Sequence, residues 1–258
     1  MPFAELLGRA AAELALFAGV GFLLFGVNDL VVDLIYFARR MWRSSTVYRR
    51  YRRAYASYYV FNRDPGFIAV FVPAWDESAV IASMLRSMLQ RFDYPDYRIF
   101  VGHYRNDPAT AAAIAGVADP RVERVPVEAD GPTTKADCLN HLYDALRAHE
   151  AAIGRSAKAV VLHDAEDVVH RYELRIFDGL IDRAAVIQLP VLPLIDPHSR
   201  WVSGHYCDEF AEAHIKELVV REAVGASIPL AGVGCAIARA PLERLAAMQS
   251  GKIGRAHV

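Results

Sequence analysis

The chain has 258 residues, of which 54% are hydrophobic and 23% charged, with a formal net charge of −1. Its mean hydropathy of +0.16 is high for a wholly soluble enzyme and points to membrane contact, while the length leaves room for one large or two small domains. Three widely spaced cysteines, Cys138, Cys207 and Cys235, form no CxxC or zinc pattern, which excludes a metal knuckle and leaves buried apolar thiols in a reducing compartment as the expectation.

Leu14–Phe37 is apolar except for Asn28, Asp29 and Asp33. At about 1.5 Å per residue a helix of this length crosses a bilayer core of about 30 Å. An aspartate near the bilayer centre costs about 2.5–3.5 kcal/mol, so Asp29 and Asp33, which share a helix face, should meet other helices or lie among headgroups. The alternative is an amphipathic helix docked on the domain. No small-residue cleavage pattern comes after it, so the segment is not read as a removed signal peptide.

The residues after it, Arg39, Arg40, Arg43, Arg49, Arg50, Arg52, Arg53 and Arg63, lie in a stretch without an acid and are interleaved with Tyr48, Tyr51, Tyr55, Tyr58 and Tyr59. Such a stripe can bind nucleic acid. Its position beside an apolar span favours a juxtamembrane belt instead, with no nucleic acid partner, and places the remainder of the chain in the cytoplasm. The expected organisation is a transmembrane helix region at 1–38, a basic and aromatic linker at 39–66, and a catalytic-type domain at 67–250.

From Phe67 onward, short runs rich in β-branched and aromatic residues alternate with helical patterns, which predicts βαβ units and a largely parallel α/β sheet. The expected strands are Phe67–Pro73, Tyr97–Tyr104, Val122–Val127, Ala159–His163 and Ala185–Leu189. Helices are expected at Glu77–Arg91, Pro108–Val117, Lys135–His149 and Tyr172–Asp182, with a further amphipathic helix at Phe210–Val224. Right-handed crossovers bring the strand C-terminal ends to one edge, where such sheets bind ligands. Neither GxGxxG after a strand nor GxxxxGK[ST] is present, so a dinucleotide fold and a P-loop are not supported.

Three polar clusters, Trp75-Asp76-Glu77, Asn106-Asp107 and Asp164–Asp167, fall on that edge, and two further motifs, at Lys135 and at Gly232–Cys235, add to them. Val160–Leu162 runs through His163 into Asp164-Ala165-Glu166-Asp167, where Asp164 and Glu166 share one side of an extended segment and Asp167 turns away or begins a helix. Clustered carboxylates call for a shared cation, and a divalent metal carrying a phosphate group supplies one; the plainer role is a helix cap. His163 reads better as an orienting core residue than as a metal ligand. Lys135, opening a helix after Gly131-Pro132-Thr133-Thr134, is either a diphosphate clamp or a solvated surface lysine. Pro73-Ala74-Trp75-Asp76-Glu77 and Asn106-Asp107 offer acids to a nucleoside or cap the next helices. Gly232-Val233-Gly234-Cys235 is a tight turn into a short strand, which either allows close approach of an acceptor or is only a turn.

Taken together these residues resemble glycosyltransferase family 2, the inverting family that includes cellulose, chitin and hyaluronan synthases, over about Phe67 to Met248. The narrower likeness is to bacterial inner-membrane members linked to phage adsorption, carried by the Asp-Ala-Glu-Asp block, Asn106-Asp107-Pro108 and Glu209-Phe210-Ala211-Glu212. The resemblance implies a GT-A fold, a Rossmann-like, mostly parallel sheet with helices on both faces, preceded here by the transmembrane helix. It implies that Pro73, Asp76, Glu77, Asp107, Lys135 and Asp164 bind a nucleotide-sugar, with a UDP-sugar expected. It also implies that Asp164 with Glu166 or Asp167 holds Mg2+ or Mn2+, and that Gly232, Gly234 and Cys235 face the acceptor.

The acceptor would be a glycan or lipid-linked, in exopolysaccharide or cell-envelope glycan synthesis at the bacterial inner membrane, with an outer-membrane export partner. A non-catalytic membrane scaffold or phage-receptor component with the same fold is the alternative. Two departures from the family stand out: Glu166 replaces the second Asp of DxD, and the general base, an Asp in a Thr-Glu-Asp-like motif, has no counterpart and is expected beyond Ser250. Ile253–Val258 resembles a translated sequencing adapter, so 251–258 is expected to be an artefact and the domain incomplete.

Overall fold

The structure, a computed structural model, describes residues 2–61 and 64–254; Arg63 of the basic run and the last four residues of the adapter-like tail lie outside them. In chain order the elements are α1 (Pro2–Ser45), α2 (Val47–Arg50), a 3-10 segment (Ala56–Phe61), β1 (Ile68–Pro73), α3 (Ile81–Arg91), β2 (Tyr97–Tyr104), α4 (Pro108–Ala115), β3 (Val122–Val127), α5 (Lys135–Ile153), β4 (Ala159–Leu162), α6 (Glu173–Leu180) and β5 (Val186–Gln188). They continue with a 3-10 turn (Pro197–Ser199), α7 (Arg200–Ala211), a π-helical stretch (Glu212–Glu217), α8 (Leu218–Ala223), β6 (Cys235–Ala238) and α9 (Arg239–Met248). Two compact units result, Met1–Arg53 with Leu192–Pro229, and Ala54–Val191 with Leu230–Val258.

The second unit is an α/β layer structure on a six-stranded sheet of order β3-β2-β1-β4-β6-β5. β3, β2, β1 and β4 run parallel, as the alternation of strand and helix predicts, whereas β6 is antiparallel to both β4 and β5. The period of two along β1 sorts the core. Ile68, Val70 and Val72 face a cluster with Ile81, Met84, Leu85 and Met88 of α3, Ile114 of α4 and Phe177 of α6. Phe67, Ala69 and Phe71 face the other, with Leu142, Tyr143 and Leu146 of α5 and Leu242 of α9. Helices therefore cover both faces, and each packs through apolar residues at three-and-four spacing.

Several boundaries differ from the expectation for local reasons. α3 begins at Ile81 rather than Glu77 because Asp76 sits at φ 56° and a turn closed by the Val80 amide on the Glu77 carbonyl intervenes. α5 runs on to Ile153 and stops at Gly154, whose left-handed φ of 70° makes a C-terminal cap. Gly102 on β2 lets α5 approach closely: a Cβ there would lie 2.3 Å from Cys138 Sγ. Ile253 packs against the second core cluster, and its amide donates to Asn140 Oδ1 at 2.8 Å.

α9 is tied back by a buried ion pair. Arg239, at the start of α9, donates from Nε and Nη2 to the two oxygens of Glu150, each at 2.8 Å, and its guanidinium lies 5.2 Å from the Tyr143 ring centroid. Glu150 also accepts from the Ala157 amide at 2.8 Å. Arg239→Met is expected to destabilise this unit by about 3–5 kcal/mol, because Glu150 is left buried and uncompensated. Denaturant unfolding measures this, and Glu150→Met added to Arg239→Met should recover most of the loss.

The first unit is helical. α1 is one continuous helix whose apolar side chains, among them Phe17, Phe22 and Phe25, are exposed. It is long and apolar enough to cross a membrane by length and composition. Asp33 meets another helix, as expected: its carboxylate takes Lys216 Nζ at 2.6 Å, and Lys216 also pairs with Glu212. Asp29, by contrast, is exposed. The predicted amphipathic helix starts at Arg200, ten residues before Phe210, just after Asp196, which accepts the His198 amide next to Pro197. Leu192–Pro229 groups with α1 in this unit.

Candidate functional site

The C-terminal ends of β1, β2 and β4 carry the predicted polar clusters to one edge of the sheet. At β1, Pro73 is the last strand residue, paired with Gly102 of β2, and the chain leaves through Asp76 in a left-handed conformation. Asp107 holds that exit. Its Oδ1 accepts the Thr110 amide at 3.1 Å, capping α4, and its Oδ2 accepts the Asp76 amide at 2.8 Å. Thr110 Oγ1 in turn accepts the Glu77 amide at 3.0 Å. Burial works against the Asp107 charge, but these hydrogen bonds prevail and hold its carboxyl below the usual range. Asp107 is therefore a cap and a latch between two strand ends at once.

The loop before α5 is laced to β2. Asn106 makes a two-point contact with Gly131, its Nδ2 donating to the carbonyl and its Oδ1 accepting the amide, both at 2.8 Å. The Tyr104 hydroxyl lies 2.7 Å from Thr133 Oγ1. Trp75 packs edge-on to Tyr104, and a Cβ at Gly131 would come within 2.4 Å of the Trp75 ring, so only glycine fits there. Lys135 is thereby placed at the first turn of α5, behind Thr134, whose hydroxyl accepts the Asp137 amide.

Lys135 joins two of the predicted motifs. Its Nζ donates to Asp164 Oδ1 at 2.5 Å and to the Gly232 carbonyl at 3.3 Å. Gly232 and Gly234 adopt φ of 81° and 57°, which side-chain-bearing residues rarely reach. The turn is clamped by Gln188 at the end of β5. Gln188 Nε2 donates to the carbonyls of Val233 at 2.9 Å and Gly234 at 3.2 Å, and its Oε1 accepts the Ala231 amide at 3.0 Å. Sequence reasoning missed this residue, and its one signal was a polar side chain inside the apolar run Ala185–Leu189.

In the acidic block, Ala165 is buried between the partly exposed Asp164 and the exposed Glu166, which agrees with the predicted alternation. Asp167 turns inward, where its Oδ2 accepts the Asp164 amide at 3.0 Å and lies 2.8 Å from His163 Nδ1. His163 Nε2 lies 2.9 Å from Glu173 Oε1, in a direction poor for a hydrogen bond, so that contact is ionic. Both ring nitrogens thus face carboxylates, which makes His163 the orienting core residue expected. Cys235 is corrected: its side chain is fully buried, and burial pushes its thiol up to about 11, so it faces the core and not an acceptor.

The acids on this edge feel one another. Burial and then the charges of Glu166, Asp76, Asp164 and Asp107 push the Glu77 carboxyl up. Among the described residues no three His, Cys, Asp or Glu side chains are grouped to hold a metal unaided. Two accessible carboxylates in a field of like charge nevertheless suit a cation whose remaining ligands are phosphate oxygens and water, the usual way Mg2+ is held.

Over residues 65–254 the chain matches the profile of a family described as glycosyltransferase-like family 2. It is 40% identical over 225 residues to bacteriophage adsorption protein B of Escherichia coli K12, and to bacteriophage N4 adsorption protein B of Escherichia coli O157:H7. Each match covers 86% of this chain and 30% of the relative, so the chain spans under a third of the length of the curated relatives it matches. Among solved structures it is similar to the mannosyltransferase PcManGT of Pyrobaculum calidifontis in complex with GDP-Man and Mn2+, at TM-score 0.49 and 19% identity, over 83% of this chain and 57% of that one. It is also similar to glucosyl-3-phosphoglycerate synthase of Mycobacterium tuberculosis in complex with UDP, at TM-score 0.44 and 17% identity, over 74% and 64%.

Proposed function

From the premise that this chain belongs to glycosyltransferase family 2, we propose that its sheet unit binds a nucleotide-sugar, with a UDP-sugar as the expected donor, for transfer to a glycan or lipid-linked acceptor. The observation that carries this reading is the Lys135 ammonium bridging Asp164 and the Gly232 carbonyl at a helix N-terminus. Backbone N–H groups of the first turn and a mobile cation beside them form a diphosphate cradle. Asp76, Glu77 and Asp107 lie where the nucleoside would rest. Asp107 then acts by fixing the Asp76 backbone as much as by touching the ligand.

Asp164 and Glu166 would hold a divalent cation, Mg2+ or Mn2+, which when bound offsets the charge of the diphosphate. Asp167 is assigned instead to His163 and to the turn. Transfer breaks the bond from the anomeric carbon to the diphosphate oxygen as an acceptor hydroxyl, giving up its proton to a carboxylate base, attacks from the opposite face, which inverts the configuration. Lys135 moves from Asp164 to the departing oxygens, where charge accumulates, and the Gly232–Gly234 turn borders the acceptor.

In the same reading α1 anchors the chain in the bacterial inner membrane, with the Arg-rich stretch and the sheet unit on the cytoplasmic side, in exopolysaccharide or envelope glycan synthesis with an outer-membrane export partner. The relatives' association with phage adsorption favours a second reading, a non-catalytic scaffold or receptor component. Calorimetric titration of the chain with UDP, GDP and ADP separates the two. One nucleotide is expected to bind in the presence of Mn2+ and to weaken at least about tenfold in EDTA. Absence of binding by every nucleotide with either metal leaves the scaffold.

A further inference from the structure

Within the helical unit, the C-terminal end of α1 carries a pocket of about 320 Å³ lined by Tyr36, Arg39, Arg40, Arg43, Tyr48 and Arg53, with Val219 and Val220 of α8 as its apolar wall. Four guanidiniums in so small a space repel one another. Among the described residues only Arg39 has a carboxylate partner, Glu222 at 3.3 Å, and that acid is largely exposed. Arg43 and Arg53 lie on the Tyr48 ring, at 5.3 and 4.6 Å from its centroid, so one aromatic side chain holds two cations together. Arg40 reaches the Tyr36 hydroxyl at 3.5 Å, at the limit of a hydrogen bond. The Nε atoms of Arg39 and Arg43 are buried without a hydrogen-bond partner. Buried donors of this kind are costly when unmet, and their arrangement fits an anion with several acceptor oxygens.

The pocket's place on the helix narrows the anion. It begins at Tyr36, where Arg39, Arg40 and Arg43 first break the apolar stretch of α1 while Phe37, Met41 and Trp42 stay exposed beside them, and this depth is where lipid phosphates lie if α1 enters a bilayer. Arginine forks match phosphate oxygens in pairs, and an apolar wall beside them suits the start of an acyl chain. We propose that this pocket binds the phosphate of an anionic phospholipid headgroup. The proposal rests on the membrane reading of α1 but not on the transferase reading of the sheet unit.

The test uses the full chain in neutral maltoside detergent, titrated with dioctanoyl phosphatidylglycerol, dioctanoyl phosphatidylcholine or inorganic phosphate. Saturable binding of the phosphatidylglycerol at one site is expected, with phosphatidylcholine and inorganic phosphate each at least about tenfold weaker. Arg43→Gln and Arg53→Gln, tested separately, should each weaken phosphatidylglycerol at least about tenfold, Arg53→Lys should weaken it less, and Arg9→Gln, far along the exposed part of α1, should leave it unchanged. Equal affinity for inorganic phosphate assigns the pocket to a free ion and overturns the lipid assignment. Equal binding of phosphatidylcholine, or indifference to both glutamine variants, overturns the pocket itself. Nucleotide titration of the same preparations is independent of every one of these outcomes, so failure here is distinguishable from failure of the donor site.

Discussion

Alanine at position 164 is expected to abolish the metal-dependent part of nucleotide binding, a weakening of about 100-fold or more in the presence of Mn2+, equivalent to about 2.7 kcal/mol. Asp164 has two functions in the proposed site: it contributes an oxygen to the cation, and it parks the Lys135 ammonium at 2.5 Å until a diphosphate arrives. Removing it takes away the first and frees the second. The metal-free affinity of Asp164→Ala should therefore hold or rise while the Mn2+-dependent affinity falls, a divergence that general unfolding cannot produce. Lys135→Met should behave differently, weakening nucleotide both with and without metal by about 10–100-fold, the loss of one charge-assisted contact to phosphate. Titrations with Mn2+ and with EDTA resolve the pattern, and an Asp164→Ala chain that keeps its Mn2+ dependence removes the metal role.

How much of this site was legible in the sequence depends on the range of each contact. β1 and β2 were readable because buried strands are apolar and bounded by turn residues, and α3 and α5 because their apolar spacing has one period. The convergence of Asp76, Asp107 and Asp164 on one edge came from parallel topology alone, whereas the contact that brings Lys135 to Asp164 there did not. The antiparallel direction of β6 did not, since an alternating or apolar run carries no record of which way it is laid down. Gln188 was missed because its partners, Val233 and Gly234, lie more than forty residues on. Cys235 was misplaced because it comes after two glycines whose turn decides which way the next side chain points; β6 pairs with β4 and β5 and turns the thiol inward. The start of α7 was obscured for a different cause: none of its residues is buried, so it has no apolar stripe to read.

The second large effect concerns stability and pH. His163 and Glu173 are 3% and 4% exposed, and the imidazole lies between the carboxylates of Glu173 and Asp167. Burial draws the His163 pKa down, but the Glu173 charge and the contacts of both acids outweigh it and raise it to about 9. A group raised above its unfolded value of about 6.5 contributes stability that is complete below that value and is lost as pH climbs through the folded one. Unfolding free energy is accordingly expected to fall by about 3 kcal/mol between pH 6.5 and 9, as the linkage of such a shift requires. Asp167 has the opposite sign: burial pushes its carboxyl up, but the contacts with His163 and the Asp164 amide outweigh this and hold it below its usual range, so it contributes stability that is lost as pH falls through its folded value. The unit should thus be most stable between those limits.

His163→Leu tests the assignment, because it leaves Glu173 buried without a counter-charge. A loss of about 3–5 kcal/mol is expected at pH 7, and the alkaline fall seen in the parent chain should vanish. The variant should instead gain stability on acidification, since protonating Glu173 removes the uncompensated charge. Urea denaturation at pH 5.5, 7 and 9 distinguishes these slopes. A variant whose stability still declines from pH 7 to 9 as the parent's does would show that another group carries the transition, and the His163 ion pairs would then be incidental to the turn that presents Asp164.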